Sequence, residues 1–302
     1  MLSCSIGIMA YNEESNIAAL LEALLKQRTL NCSIDEIIVV ASGCTDRTEE
    51  IVEFFAERNP LIELIVQDRR EGKASAINLF LSRARGDIAV IESADTIPHE
   101  DTIENLLRPF RDPKVGMTGA RPIPINSPTS FMGYTSHLFW RLHHELALKQ
   151  PKLGELIALR NIVNEIPADT AVDEASIEAI ITNAGYRIHY AEDAIVNNKG
   201  PETISDFLKQ RRRIMVGHKH LQDTKGYVVS TMKITNLLYL FRRIFNSSPI
   251  SLRTTFWTCG SVLLEFTGRL LGDYDYYIKK KNPFAWEIAE STKNLENDST
   301  YS

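Results

Sequence analysis

The sequence is poor in cysteine and in long apolar runs, and each shortage argues against a class of protein. Its 302 residues include four scattered cysteines whose positions match neither a zinc site nor a disulfide framework: Cys4, Cys32, Cys44 and Cys259. The most apolar late stretch, residues 255–272, contains Glu265 and Arg269 and is therefore too broken to span a membrane. No basic and apolar leader precedes the first strand-like run, so a cytoplasmic protein is expected. The formal net charge of -5 argues against a dedicated nucleic-acid binder, and no nucleic-acid partner is expected.

Strand-like and helix-like patterns alternate over the first 95 residues. Apolar strand patterns cover residues 3–10, 36–40, 61–66 and 88–91, and helical spacing of apolar residues covers 17–27, 47–58 and 72–84. This alternation is typical of an α/β fold in which helices cover a parallel sheet. Because crossovers in such sheets are right-handed, the loops after the strands share one edge. Polar residues of four loops are therefore expected to be neighbours: Tyr11 to Glu13, Ser42 to Asp46, Arg69 to Lys73 and Glu92 to Thr96.

The fourth of these strands ends in acids. The apolar run of residues 88–91 leads directly to Glu92 and Asp95, and Pro98 closes the segment. Open parallel sheets place ligands and metals at the C-terminal ends of their strands. Taken alone, the stretch fits a core strand with a solvated end equally well. The other loops that converge on it favour a ligand or metal site.

The second half of the chain adds a loop, a histidine pair and an acidic pair. Residues 121–130 are rich in Pro and Ser and predict a loop over the site, and residues 131–149 predict a helix. His143 and His144 lie in that helix, but adjacent residues point in different directions, which disfavours a shared metal. Asp173 and Glu174 begin a helix that Gly185 ends. The two acids suit the positive end of the helix dipole, and an acid there is also well placed as a general base.

Six motifs, in this order, resemble the family 2 glycosyltransferases over about residues 3–222. They are residues 10–14 (AYNEE), 42–48 (SGCTDRT), 72–78 (GKASAIN), 93–95 (SAD), 173–174 (DE) and 210–213 (QRRR). The resemblance implies the GT-A nucleotide-sugar fold, a Rossmann-like α/β architecture with a mostly parallel sheet flanked by helices. It also implies a hexosyltransferase-like enzyme that moves a sugar from a nucleoside diphosphate sugar by inverting displacement.

The resemblance also implies roles for individual residues. Those expected to contact the nucleotide or the sugar are Ala10, Tyr11, Asn12, Glu13, Ser42, Asp46, Lys73, Ser93, Ala94, Gln210, Arg211 and Arg212. Asp95 is expected to bind Mg²⁺ or Mn²⁺, which would act as a Lewis acid on the departing diphosphate. Glu174 aligns with the family's general base, and Asp173 is kept as a second candidate. Arg213 is expected to stabilise the leaving group, although only one or two of the three consecutive arginines can face one site.

This sequence departs from the family pattern at two loops. Ala41 and Ser42 stand where a pair of acids usually reads the base and ribose, and Ser93 stands where the metal motif usually has its first acid. The metal is expected to bind less tightly unless other groups complete its coordination, namely Glu92, the diphosphate, His218 or His220. Family habit favours a UDP-sugar over a GDP-sugar.

The chain is expected to divide into a catalytic domain (residues 1–225), a helical extension (226–290) and a flexible tail (291–302). The extension contains two amphipathic helical patterns, residues 236–245 and 256–271, near basic clusters. Peripheral contact with anionic lipid is one interpretation, with basic residues facing the headgroups. The alternatives are packing on the catalytic domain and a homo-oligomer contact. The basic residues concerned are Arg242, Arg243, Arg253 and Lys279 to Lys281.

Three functions stay open from the sequence. The first is metal-dependent transfer to an acceptor, for which a lipid or lipid-linked molecule suits the apolar extension. The second is a non-catalytic module that binds sugar nucleotides, because acids are missing at Ala41, Ser42 and Ser93. The third is nucleotidyl transfer, which ranks last because no Gly-rich basic loop follows the first strand.

Overall fold

A mixed eight-stranded sheet is the framework of the part of the chain that the computed structural model describes: residues 1–233, 235–236, 239–240, 243, 251–280, 290–292 and 295. The strands are β1 (Leu2–Ala10), β2 (Cys32–Ser42), β3 (Ile62–Gln67), β4 (Ile88–Ser93), β5 (Thr96–Pro98), β6 (Val115–Pro124), β7 (Ile157–Arg160) and β8 (Arg187–Asn198). The α-helices of the described residues are α1 (Ile17–Leu25), α2 (Thr48–Ala56), α3 (Lys73–Leu81), α4 (Thr102–Leu107), α5 (Phe131–Lys149), α6 (Asp173–Asn183), α7 (Ile204–Lys225) and α8 (Leu252–Tyr277).

The strand order is β3-β2-β1-β4-β7-β6-β8-β5. The first four strands pair in parallel, as the alternating pattern predicts, and β6 pairs in parallel with β8. Strand β7 enters the sheet between β4 and β6 and is antiparallel to both. The loops after β1, β2, β3 and β4 consequently open at one edge of the sheet.

Helices cover both faces of this sheet because its strands are apolar on both sides. On one face, Ile6 and Ile8 of β1 pack with Leu20 of α1. On the other face, Ile38 of β2 packs with Phe80 of α3. These side chains are completely buried, which accounts for the nearly continuous apolar character of the strands.

The structure corrects one detail of the sequence prediction. Strand β6 continues to Pro124, so the loop expected over residues 121–130 is confined to its second half. Residues 187–198 form the single strand β8, which stays paired with β6 across a register shift beside Gly119. Residues 96–98 add the short strand β5 at the far edge.

Helix α8 lies along α7 and is held there by small residues and ion pairs. A Cβ atom on Gly268 would lie 2.7 Å from Cβ of Arg211, and one on Gly272 would lie 2.5 Å from Cβ of Met215. Glycine at these two positions therefore permits the close approach of the helices. The amphipathic pattern of residues 256–271 is helical as predicted. That of residues 236–245, with Arg242, lies mostly outside the described residues, as do Lys281 and nearly all of the tail.

The described helices are each too short or too polar to cross a membrane.

Candidate functional site

A cavity of about 1070 Å³ opens at the edge of the sheet where the four loops converge. Its walls come from the ends of β1, β2 and β4, the beginnings of α3 and α6, the middle of α7 and the inner side of α8. All of the predicted site residues line it except Asn12 and Asp46. Those that line it are Ala10, Tyr11, Glu13, Ser42, Lys73, Ser93, Ala94, Asp95, Asp173, Glu174, Gln210, Arg211, Arg212 and Arg213.

The side chains of Asn12 and Asp46 hydrogen-bond within the loops after β1 and β2, and the ligand contact expected of them stays a prediction. The Thr45 amide donates to Asn12 Oδ1 at 2.8 Å, and the Asn12 side chain donates back to the Thr45 hydroxyl at 3.1 Å. Asp46 accepts hydrogen bonds from the amides of Glu14 and Thr48, both at 3.0 Å. These side chains fix the loop after β2 against the loop after β1.

Lys73, the first residue of α3, connects the metal-motif loop to the acidic pair. Its Nζ atom lies 3.2 Å from Glu174 Oε1 and 3.8 Å from Asp173 Oδ2, and it donates to Ser93 Oγ at 3.4 Å. Burial would lower the pKa of Lys73, but the carboxylates of Glu174, Asp173 and Glu155 outweigh burial and raise it. Lys73 therefore stays protonated, and it compensates the acids that begin α6.

The two acids at the start of α6 have different environments. The side chain of Asp173 is 3 % exposed and that of Glu174 is 25 % exposed. Burial raises the pKa of Asp173 to about 6, against the opposing charge of Lys73. Burial also acts to raise the pKa of Glu174, but the contact with Lys73 overcomes it and lowers the pKa. Glu174 is thus the more acidic and the more exposed member of the pair.

Glu155, just before β7, is a site residue that the sequence interpretation missed. It adopts a φ of 61° and lines the cavity, and Asn198 Nδ2 donates to its Oε1 at 3.3 Å. Burial raises the pKa of Glu155 to about 7, and the charges of Asp95 and Glu174 act in the same direction. The available signal was an acid at the start of an otherwise apolar central strand.

Hard oxygen donors surround Asp95, but they do not form a complete cage for a metal. In the described part of the chain, no three His, Cys, Asp or Glu side chains are arranged to hold an ion. Glu92 Oε2 and Asp173 Oδ1 are buried carboxylate oxygens that accept no hydrogen bond from the described residues. Magnesium-like ions usually take one or two carboxylates and fill the other positions with phosphate and water. Asp95 with a bound diphosphate fits that pattern.

Glu92, His218 and His220 are considered as further metal ligands, and each has different surroundings. Burial raises the pKa of Glu92 to about 8, and the Thr96 hydroxyl donates to it. His220 Nε2 lies 3.2 Å from Asp169 Oδ2, outside the cavity lining. His218 lines the cavity, and burial, with nearby Lys152, lowers its pKa to about 3.

The three consecutive arginines of α7 face different partners. Arg212 makes a bidentate pair with Asp275 of α8, at 2.7 and 2.9 Å. Arg211 Nε lies 3.1 Å from Oε2 of Glu265, also on α8. Arg213 instead interacts electrostatically with the acids of the site, Glu174 first among them. Since Arg213 interacts with the acids of the site and the other two pair with α8, Arg213 is the arginine of this motif directed towards the site.

The loops after β1 and β3 offer the cavity a cationic and aromatic surface, formed by Tyr11 and Arg70. The Arg70 guanidinium lies 4.3 Å from the centre of the Tyr11 ring, a cation–π geometry. The loop after β2 comes close to Arg70 because Gly43 has a φ of +64°, and a Cβ there would lie 2.5 Å from the Arg70 nitrogen. Ser42, where an acid is usual, donates weakly to the Arg69 carbonyl at 3.5 Å. A planar base can stack here.

Sequence profiles match most of the chain. The profile described as "Glycosyl transferase family 2" matches residues 5–179, and that described as "Glycosyl transferase family group 2" matches residues 168–270. A poly-beta-1,6-N-acetyl-D-glucosamine synthase of Staphylococcus aureus is 25% identical over 253 residues, which cover 79% of this chain and 60% of that protein. The chain thus spans less than two thirds of the length of this curated relative.

Solved structures share the fold. Mannosyltransferase PcManGT from Pyrobaculum calidifontis, in complex with GDP-Man and Mn²⁺, has a TM-score of 0.67 at 20% identity, covering 92% of this chain and 88% of that one. Glucosyl-3-phosphoglycerate synthase from Mycobacterium tuberculosis, in complex with Mn²⁺, UDP and glucosyl-3-phosphoglycerate, has a TM-score of 0.52 at 17% identity, covering 76% and 82%. The GT-A fold expected from the motifs is confirmed, with a mixed sheet in which four of the seven strand pairings are parallel.

Proposed function

The chain belongs to glycosyl transferase family 2, and from that premise we propose that it transfers a sugar from a nucleoside diphosphate sugar to an acceptor hydroxyl with inversion. The observation that carries the proposal is the contact of Lys73 with both acids of α6, in a cavity that Asp95 also lines. A cation, a reachable carboxylate and an oxygen donor suited to a metal around one cavity support the proposal. Those are the groups that displacement of a diphosphate requires.

The reaction uses these groups in defined roles. The acceptor hydroxyl oxygen attacks the anomeric carbon, its proton passes to Glu174, and the bond from that carbon to the diphosphate oxygen breaks with its electron pair. Lys73 and Arg213 stabilise the negative charge that develops on the leaving diphosphate. A divalent ion, when held by Asp95 and the diphosphate, supplies Lewis-acid stabilisation of the same charge. Mn²⁺ in the two similar solved structures supports a divalent ion here.

The donor proposed is a UDP-sugar. The stacking surface of Tyr11 and Arg70 accepts any planar base, and the two solved structures contain GDP-Man in one case and UDP in the other. The choice of uridine as the base therefore follows the habit of the family.

Incubation with a panel of UDP-sugars and GDP-sugars plus Mn²⁺ tests the proposal through release of the nucleoside diphosphate. We expect release with at least one UDP-sugar, since water can replace the acceptor slowly. Chelation of the metal should suppress it. Binding of a donor without any release, with or without a pool of candidate acceptors, would instead support the non-catalytic module.

Helix α8 is apolar on its outer side and polar on its inner side, the reverse of an ordinary surface helix. Its buried residues are small, polar or charged: Thr258, Ser261, Gly268, Gly272 and Asp275. Its exposed row contains large apolar side chains, with Leu252 at 93 %, Phe256 at 77 % and Leu263 at 64 % exposure. Phe266, Leu270, Tyr274 and Tyr277 continue the same row. A contiguous apolar surface of this kind marks an interaction site.

We propose that this row rests on an anionic membrane surface. Exposed cations flank it, Arg253 at the first turn of α8 and Lys279 and Lys280 just after its last turn, and such cations favour anionic lipid. The protein should float with vesicles that contain an anionic lipid and less with neutral ones. The double substitution of Phe256 and Leu263 to Ser should abolish flotation, whereas Leu30→Ser, at an equally exposed but distant site, should not. If the double substitution dissociates a dimer and leaves flotation unchanged, the membrane contact is contradicted.

A further inference from the structure

The part of the cavity next to α8 contains more positive than negative charge. Lys152, Arg211 and Arg269 all line it. Arg211 Nε lies 3.1 Å from Oε2 of Glu265, and Arg269 donates to Oε1 of the same residue at 2.8 Å, so two arginines share one carboxylate. Lys152 makes neither an ion pair nor a hydrogen bond with any residue that the structure describes.

A second carboxylate, that of Glu178, does not neutralise this excess of positive charge. Glu178 accepts hydrogen bonds from the Leu153 amide at 2.9 Å and from the Tyr227 hydroxyl at 3.0 Å. Even with Glu178 ionised, the three cations outnumber the two carboxylates. Burial lowers the pKa of Lys152 to about 8, and the charge of Arg211 acts in the same direction. A buried cation without full compensation is costly, which points to a counter-charge from a ligand.

Two histidines in the same region have unused polar atoms. The Nδ1 atom of His143 is buried and has no hydrogen-bond partner among the described residues. His218 is only 9 % exposed and likewise makes no hydrogen bond within the described part of the chain. Both line the cavity. Since buried polar atoms are nearly always hydrogen-bonded, these ring nitrogens are free to meet polar atoms of a bound molecule.

This region lies close to the proposed catalytic base. Glu178 follows Glu174 by four residues on α6, a rise of about 6 Å along the helix. The cavity volume of about 1070 Å³ lies at or above the roughly 300–1,000 Å³ of single-ligand sites, which leaves room for a second substrate. Apolar side chains also line this end: Phe139, Leu142, Phe207 and Val262.

On the premise of the sugar transfer proposed above, we infer that Lys152, Arg211, Arg269, His143 and His218 form a subsite for a phosphate group of the acceptor. The phosphate supplies the missing counter-charge and accepts charge-assisted hydrogen bonds from the cations. It holds the acceptor so that a hydroxyl reaches Glu174, while the apolar part of the acceptor lies against the aromatic side chains. The carrier of the phosphate is either a soluble phosphorylated compound or a lipid phosphate.

Calorimetric titration of the whole chain, saturated with UDP and Mn²⁺, tests the subsite with three probes: inorganic phosphate, octyl phosphate and octanol. We expect both phosphates to bind and octanol to bind at least tenfold more weakly. Lys152→Gln should weaken binding of phosphate about tenfold or more, because a charged hydrogen bond is lost. Arg269→Gln should do the same. Lys149→Gln removes the same charge from an exposed position at the end of α5 and should leave binding unchanged.

The outcomes distinguish a soluble from a lipid carrier of the phosphate, and they test the subsite separately from the sugar transfer. Tighter binding of octyl phosphate than of inorganic phosphate identifies a lipid phosphate as the carrier, and equal binding identifies a soluble one. Absent phosphate binding, equal affinity for octanol, or unchanged affinity in both Lys152→Gln and Arg269→Gln with unaltered melting temperatures overturns the subsite. Failure of UDP to bind would count against sugar transfer only, since the phosphate titrations of the variants can still be compared.

Discussion

Replacement of Glu174 by Gln is expected to reduce the rate of sugar transfer by about 10²- to 10⁴-fold, the usual contribution of a general base. The amide keeps the shape of the side chain and its contact with Lys73 but cannot accept a proton. Glu174 rather than Asp173 is expected to show the larger loss, because its side chain is 25 % exposed to the cavity and that of Asp173 only 3 %. A base must reach the hydroxyl before its pKa matters.

Steady-state kinetics of Glu174→Gln, Asp173→Asn and the control Glu165→Gln measure this difference. Glu165 is exposed and lies outside the cavity lining, so its substitution should leave the rate unchanged. We expect Glu174→Gln to lower kcat with little change in the KM for the donor. Because Lys73 lowers the pKa of Glu174, the wild-type rate should stay constant as the pH falls until it approaches the lowered pKa. A larger loss in Asp173→Asn than in Glu174→Gln would reverse the assignment.

Substitution of Asp95 by Asn is expected to remove activation by Mn²⁺ and to lower turnover by about 10²-fold or more. Ser93 stands where the family's metal motif usually has its first acid, and its hydroxyl accepts a hydrogen bond from Lys73. No three potential protein ligands come together among the described residues. Loss of the single charged ligand at this position therefore leaves the ion with the diphosphate and water.

Titration of Mn²⁺ in the presence of UDP, read by calorimetry and by rate, checks this expectation. Asp68→Asn is the matched control, because Asp68 is an exposed acid of the loop after β3 that does not line the cavity. Metal affinity and activity that survive in Asp95→Asn would show that another acid, with Glu155 the first to test, holds the ion. Full activity in the presence of a chelator would argue against any role for a divalent ion.

Local patterns predicted the first half of the fold, and all but two of the predicted site residues line one cavity. The alternation of β1 to β4 with α1 to α3 is readable because strand and helix periodicities are properties of short segments. The convergence of the loops then follows from the handedness of the crossovers. For that reason, residues as distant along the chain as Tyr11, Lys73 and Asp95 can be assigned to one site from the sequence alone.

The pairing of strands that are distant along the chain could not be predicted from local patterns. Strand β7 inserts between β4 and β6, and no local pattern states which partners a strand takes. The insertion brings Glu155 next to the acids of α6, so its role depends on an arrangement that the sequence does not display. Likewise, the QRRR motif could not reveal that Arg211 and Arg212 pair with Glu265 and Asp275, which lie 54 and 63 residues further along the chain.

These two ion pairs join α8 to the helix that contains the last motif. The side chain of Asp275 is 7 % exposed and that of Arg212 is 33 % exposed, and loss of one partner from a largely buried pair costs about 3–5 kcal/mol. A chain shortened to residue 225 would leave the arginines of α7 without their carboxylates and the cavity without one wall. We therefore expect the smallest piece that folds alone to extend at least to residue 277, some sixty residues beyond the last recognisable motif.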